Sequence, residues 1–107
     1  ALIAEAHDSD SPLLVTAVNL GEVWYSLARS RSEAEADLGV TEIRHLGFEV
    51  IEVNWELARQ AAMLKAKGRL SYADCFAAGL AKLRKAEVVT GDAEFKQIEG
   101  QVKVHWL

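Results

Sequence analysis

Cysteine is almost missing from the sequence. Cys75 is the only one in 107 residues, so no internal disulfide can form and a reducing, cytoplasmic setting is expected. No apolar run approaches the ~20 residues a membrane span needs, and no basic segment precedes an apolar one as in a secretory signal. The three histidines, His7, His45 and His105, are scattered without zinc-ligand spacing. Positive charge is also short. A net charge of −4 excludes a general polyanion binder, which draws its affinity from many Lys and Arg contacts to phosphate. Any nucleic acid must be held locally, by a cation or a small basic rim.

What is present fits one compact α/β domain over residues 1–107. Half the residues are hydrophobic, there is a single proline, and a chain of this length can bury a real core. Ala1–Ala6 reads as the tail of a helix, and His7–Pro12 as a polar loop. Leu13–Val18 is a short apolar run of the kind that forms a strand covered on both faces. Asn19-Leu20-Gly21-Glu22 reads as a helix start, with Leu20, Val23, Trp24, Leu27 and Ala28 on one stripe and Tyr25 off it, free to face a partner. A second helix is expected from Glu33 to Leu46, with Ala36, Val40, Ile43 and Leu46 inward and Gly47 as its stop. Phe48–Val53 is the next strand. Asn54 caps a helix that ends in Lys65, Lys67 and Arg69. Val102–Trp106 alternates strictly, as an edge strand does. Strands separated by helices predict a mostly parallel sheet, with ligands gathered beyond the carboxyl ends of its strands.

The stretch from Leu70 to Asp92 organises the rest. Tyr72–Leu83 is a helix apolar nearly all round, hence buried, and its small residues let neighbouring backbone approach closely. Asp74 is the only acid in it. A carboxylate at the start of a buried helix must pair, bind a cation or take up a proton. Val88-Val89-Thr90 then forms a short buried strand, broken by Gly91-Asp92. Each acid also has a plain structural use: Ser71-Tyr72-Ala73-Asp74 fits a helix start, and Asp92 can cap a short helix from Ala93 to Ile98. Glu22, Asp74 and Asp92 are expected on one rim of the sheet. Three uncompensated carboxylates there would raise one another's pKa values, which a hard cation such as Mg²⁺ or Mn²⁺ relieves.

Val18-Asn19-Leu20-Gly21-Glu22-Val23, Leu70-Ser71-Tyr72-Ala73-Asp74-Cys75-Phe76-Ala77-Ala78 and Val89-Thr90-Gly91-Asp92-Ala93-Glu94-Phe95 resemble a PIN domain, most of all the VapC-like toxin ribonucleases. The resemblance implies a PIN-like parallel-sheet α/β/α sandwich and Mg²⁺- or Mn²⁺-dependent cleavage of RNA. It implies Glu22, Asp74 and Asp92 as catalytic, metal-holding acids, with Thr90 supporting the site beside Asp92. A small antitoxin and a second copy in a homodimer are the implied partners. In that family the chain opens with a central strand ending in Asp, followed by a helix. Neither is found here, and that opening is expected to lie outside this sequence. Leu13–Val18 and Glu87–Thr90 should flank the missing strand, with a second chain, a swapped segment or collapse of the two halves filling the gap.

Two other classes fit less well. A phosphoacceptor receiver module needs an Asp at a strand end and a Lys after a later strand, whereas Asp74 opens a helix and no Lys follows a strand near Thr90. A non-catalytic interaction domain, with the acids as caps, is separated by titration with metal, since a cap leaves no cation site.

Overall fold

The computed structural model describes residues 3–6 and 13–107. The His7–Pro12 loop lies outside the described residues. In chain order the elements are β1 (Ile3–Ala6), β2 (Leu13–Thr16), α1 (Ala17–Ser30), α2 (Glu33–His45), β3 (Glu49–Ile51), α3 (Trp55–Lys67), α4 (Tyr72–Arg84), β4 (Ala86–Thr90), a short 3-10 helix (Ala93–Ile98) and β5 (Lys103–Trp106). The five strands form one sheet in the order β3-β2-β1-β4-β5. β2 pairs with β3, and β4 with β5, in parallel.

The opening segment departs from expectation. Ile3–Ala6 is a strand, not a helix tail, and it runs antiparallel between β2 and β4. The physical reason lies in its neighbours. Both flanking strands are largely buried, and their backbone groups facing the gap would otherwise have no ladder partner, which buried amides rarely tolerate. The gap between Leu13–Thr16 and Ala86–Thr90 is therefore real but is filled from within the chain. Because β1 opposes both neighbours, β2, β3, β4 and β5 all point the same way. Their carboxyl ends, at Thr16, Ile51, Thr90 and Trp106, share one edge.

The main core lies between one face of the sheet and the pair α3–α4. Leu14, Ala86 and Val88 from the strands meet Leu57, Ala61, Leu64, Phe76 and Leu80 from the helices, and Phe95, Ile98 and Val102 close one end. As expected, α4 is buried on nearly all sides: Cys75 to Ala81 are all inaccessible. Its small residues serve close packing. A Cβ on Gly79 would stand 3.2 Å from the Ala61 amide nitrogen of α3. On the other face of the sheet Glu87 of β4 pairs with Lys103 at 2.9 Å and approaches His105 at 3.6 Å, both on β5. No helix among the described residues is long and apolar enough to cross a membrane.

Caps explain most element boundaries. Ser32, Asn54 and Ser71 each accept the amide three residues on, and so start α2, α3 and α4. Gly47, at φ 92°, turns the chain after α2. That turn corrects Leu46, expected inward. It lies past the last helical residue and is 75% exposed. Trp24 is only half-buried, with its indole donating to Asp37 of α2 at 2.9 Å, and Tyr25 is exposed.

Candidate functional site

The site grows from the shared carboxyl edge of the strands. β4 ends at Thr90, which is fully buried, and its Oγ1 accepts the Asp92 backbone N–H at 3.0 Å. That bond fixes the turn at Gly91. The Asp92 carboxylate in turn accepts the Glu94 amide at 2.9 Å, so Asp92 is the cap of the 3-10 helix. Gln97, further along that helix, accepts the Arg69 backbone N–H at 2.9 Å and donates to Glu94 at 3.2 Å. The segment carrying Asp92 and Glu94 is thereby tied to the loop that leads into α4.

Asp74 stands in the first turn of α4, half-buried. Its backbone N–H donates to Ser71 Oγ at 3.1 Å. Its carboxyl sits above the ordinary value of 3.8. Burial is the largest cause; a hydrogen bond with Ser71 opposes it, and the negative charges of Asp92 and Glu94 add to it. Desolvation and the neighbouring acids outweigh the Ser71 hydrogen bond. Asp74 and Asp92, 18 positions apart by their numbering, therefore act on one another through space. Sequence reasoning missed Glu94 as the third charge at this end. Its signal was its place two residues after Asp92 in the same cap.

Glu22 is placed differently. The Thr16 hydroxyl accepts the Asn19 amide at 3.0 Å and starts α1 at Ala17, earlier than Asn19 as its opening residue implied. Glu22 therefore lies beyond the first turn. It accepts the Tyr25 hydroxyl at 3.4 Å and lines a shallow groove with Val23, Ser26 and Leu27. Asn19, read from sequence as the opening of the helix, is fully buried. Its Nδ2 donates to the Ala73 carbonyl at 2.8 Å, and its Oδ1 accepts from the Thr16 hydroxyl.

Among the described residues no group of three or more His, Cys, Asp or Glu side chains is arranged to hold a metal ion. The chemistry of the pair nonetheless fits a hard cation. Both donors are carboxylates, and burial, with the charges of Asp92 and Glu94 adding to it, already disfavours ionisation of Asp74. Mg²⁺ is commonly held by one or two carboxylates, with water in its remaining positions.

The PIN domain family model matches residues 1–101. No curated protein matches the chain significantly. Among solved structures, the DNA-bound VapBC of Salmonella typhimurium superposes with a TM-score of 0.69 at 23% identity, over 86% of this chain and 73% of that one. VapBC-5 of Mycobacterium tuberculosis gives 0.61 at 22% identity, over 88% and 79%. A toxin–antitoxin complex from Klebsiella pneumoniae gives 0.62 at 18% identity, over 86% and 71%. With the family match spanning nearly the whole sequence and the fold shared with these structures, the chain belongs to the PIN domain family.

Proposed function

We propose that the chain is a VapC-like ribonuclease, the toxin of a toxin–antitoxin pair, which hydrolyses phosphodiester bonds in RNA with Mg²⁺ or Mn²⁺. The observation that carries this reading is the interaction of Asp74 and Asp92 at the carboxyl edge of the sheet, with Asp74 half-buried and its ionisation disfavoured. Asp74 and Asp92 would hold the cation, with Glu22 as the third acid from α1. When bound, the cation supplies Lewis-acid activation of water and neutralises charge building on the phosphate.

The chain's own residues do the positioning. Thr90 orients Asp92 through its amide, and Ser71 orients the turn that carries Asp74. The acidic balance of the whole chain leaves substrate binding to local contacts, with Lys67 and Arg69 nearest in sequence to the start of α4. The toxin–antitoxin assignment is supported by the similarity in fold to VapBC complexes, and the proposed partner is a small antitoxin protein.

The test is cleavage of end-labelled single-stranded RNA by the purified chain. Cleavage that requires Mg²⁺ or Mn²⁺, stops in EDTA and is lost in Asp74→Asn supports the reading. Asn keeps the size of the side chain, so a circular-dichroism spectrum matching wild type isolates the loss of charge. Absence of metal-dependent cleavage by wild type, or equal cleavage by Asp74→Asn, contradicts it.

A further inference from the structure

Two fully buried polar side chains, Thr16 and Asn19, do something that capping a helix does not require. The Thr16 hydroxyl accepts the Asn19 backbone N–H, so its own proton is free for a second bond. That proton goes to Asn19 Oδ1. With Oδ1 engaged, the amide can only turn its Nδ2 outward, where it donates to the Ala73 carbonyl. A carbonyl accepts and never donates, so the orientation of the amide is fixed at both ends.

The two ends of this relay are informative. Ala73 immediately precedes Asp74 in the first turn of α4. At the other end Thr16 is the last residue of β2, on the carboxyl edge of the sheet. The relay is thus a direct tie between that edge and the backbone that carries Asp74. An ordinary cap would use a surface Ser or Asn and bond only within its own helix, as Asn54 does with Leu57. Burying an amide and a hydroxyl at the junction of two helices is costly unless every group is paired.

We propose that Asn19, oriented by Thr16, is a positioning residue that holds the first turn of α4 so that Asp74 meets the cation together with Asp92. The proposal rests on the reading of Asp74 and Asp92 as metal-holding groups. Asn19 itself touches neither the cation nor the substrate. It acts through the Ala73–Asp74 backbone.

The probe is Mn²⁺ alone, with free ion followed by electron paramagnetic resonance on the full chain, beside melting curves in metal-free buffer. The variants are Asn19→Leu, which keeps approximate volume without polar atoms, Thr16→Val, Thr16→Ser and Asp74→Asn. Affinities are compared at a temperature where each variant is folded. Thr16→Ser retains the hydroxyl and is expected to bind Mn²⁺ as wild type does. Asn19→Leu and Thr16→Val are expected to weaken binding at least tenfold, approaching the loss seen in Asp74→Asn. If Asn19→Leu does not fold, the Thr16→Val and Thr16→Ser pair decides alone. Wild-type binding that disappears in Asp74→Asn yet persists in Asn19→Leu or Thr16→Val overturns the positioning role only. Binding that survives Asp74→Asn overturns the reading of the acids, and the proposal with it.

Discussion

Thr16 and Thr90 stand at the same height on the sheet, two strands apart. Leu14 and Val88 both oppose Ala4 of the antiparallel β1, so the residues two further along each strand come level. Two strand spacings separate their backbones by roughly 9–10 Å. Both are fully buried at the last residue of a strand, and both use the hydroxyl to set the segment that follows. Thr90 accepts the amide of Asp92; Thr16 accepts the amide of Asn19 and orients its side chain toward Ala73. The acids of the candidate site thus hang from two matched anchors on one edge.

Asp74 should make the fold less stable as pH rises. Its folded carboxyl sits above the ordinary 3.8. Between 3.8 and the folded value, the folded chain holds more protons than the unfolded one, so stability falls with rising pH across that interval. Above it the penalty is constant. In metal-free buffer Asp74→Asn should therefore raise the melting temperature near neutral pH, and the gain should shrink as pH falls through the folded value and be gone below the ordinary 3.8. The effect is modest, because part of the group is in water. A variant that melts lower than wild type at neutral pH and equals it in acid would reverse the sign and refute this account of the carboxyl.

Asp92 carries two roles that substitution separates. Asn at this position still accepts the Glu94 amide, whereas Ala does not. Asp92→Ala should cost about 1 kcal/mol of stability, the usual loss of a cap, while Asp92→Asn should cost little. Both should lose Mn²⁺ binding. Denaturant unfolding beside a Mn²⁺ titration checks the split; Asp92→Asn with full affinity would leave Asp92 as a cap only.

Gly79 marks a close approach of α3 and α4. An added Cβ meets backbone, at the Ala61 nitrogen, not the end of a flexible chain. Gly79→Val should destabilise by about 1–3 kcal/mol through overpacking. Unfolding in urea measures it, and a neutral result would mean that α3 moves aside freely.

Lys85 ends α4 with φ 52°, a left-handed conformation that glycine adopts without strain. Lys85→Gly should leave stability unchanged or raise it by up to about 1 kcal/mol, less than the strain relieved because glycine also loosens the unfolded chain. A clear loss in a thermal melt would show that the lysine side chain is needed here.

How far the sequence led follows from where the governing interactions lie. α4 was legible because its burial is written in its own residues, and Ser71, Asn54 and Asp92 were legible as caps because their bonds span only two or three residues. Ile3–Ala6 was misread because alanine and glutamate favour a helix locally, while the strand is imposed by β2 and β4, distant in the chain. Asn19 was read only as a helix opening for a related reason. Its second role appears only once the Ala73 carbonyl, 54 residues away, is brought against it. The approach of Asp92 and Glu94 to Asp74 likewise depends on the loop contact between Gln97 and Arg69.

The most direct measurement of the account is where a cation binds. Substoichiometric Mn²⁺ broadens amide resonances near its site in a ¹⁵N-correlated spectrum of the full chain. The account predicts that Asp74, Asp92 and Glu94 broaden first, followed by Glu22, with no such loss in Asp74→Asn. Broadening that begins instead among the exposed acids of α2, at Glu33, Glu35 and Asp37, or that persists unchanged in Asp74→Asn, would contradict it.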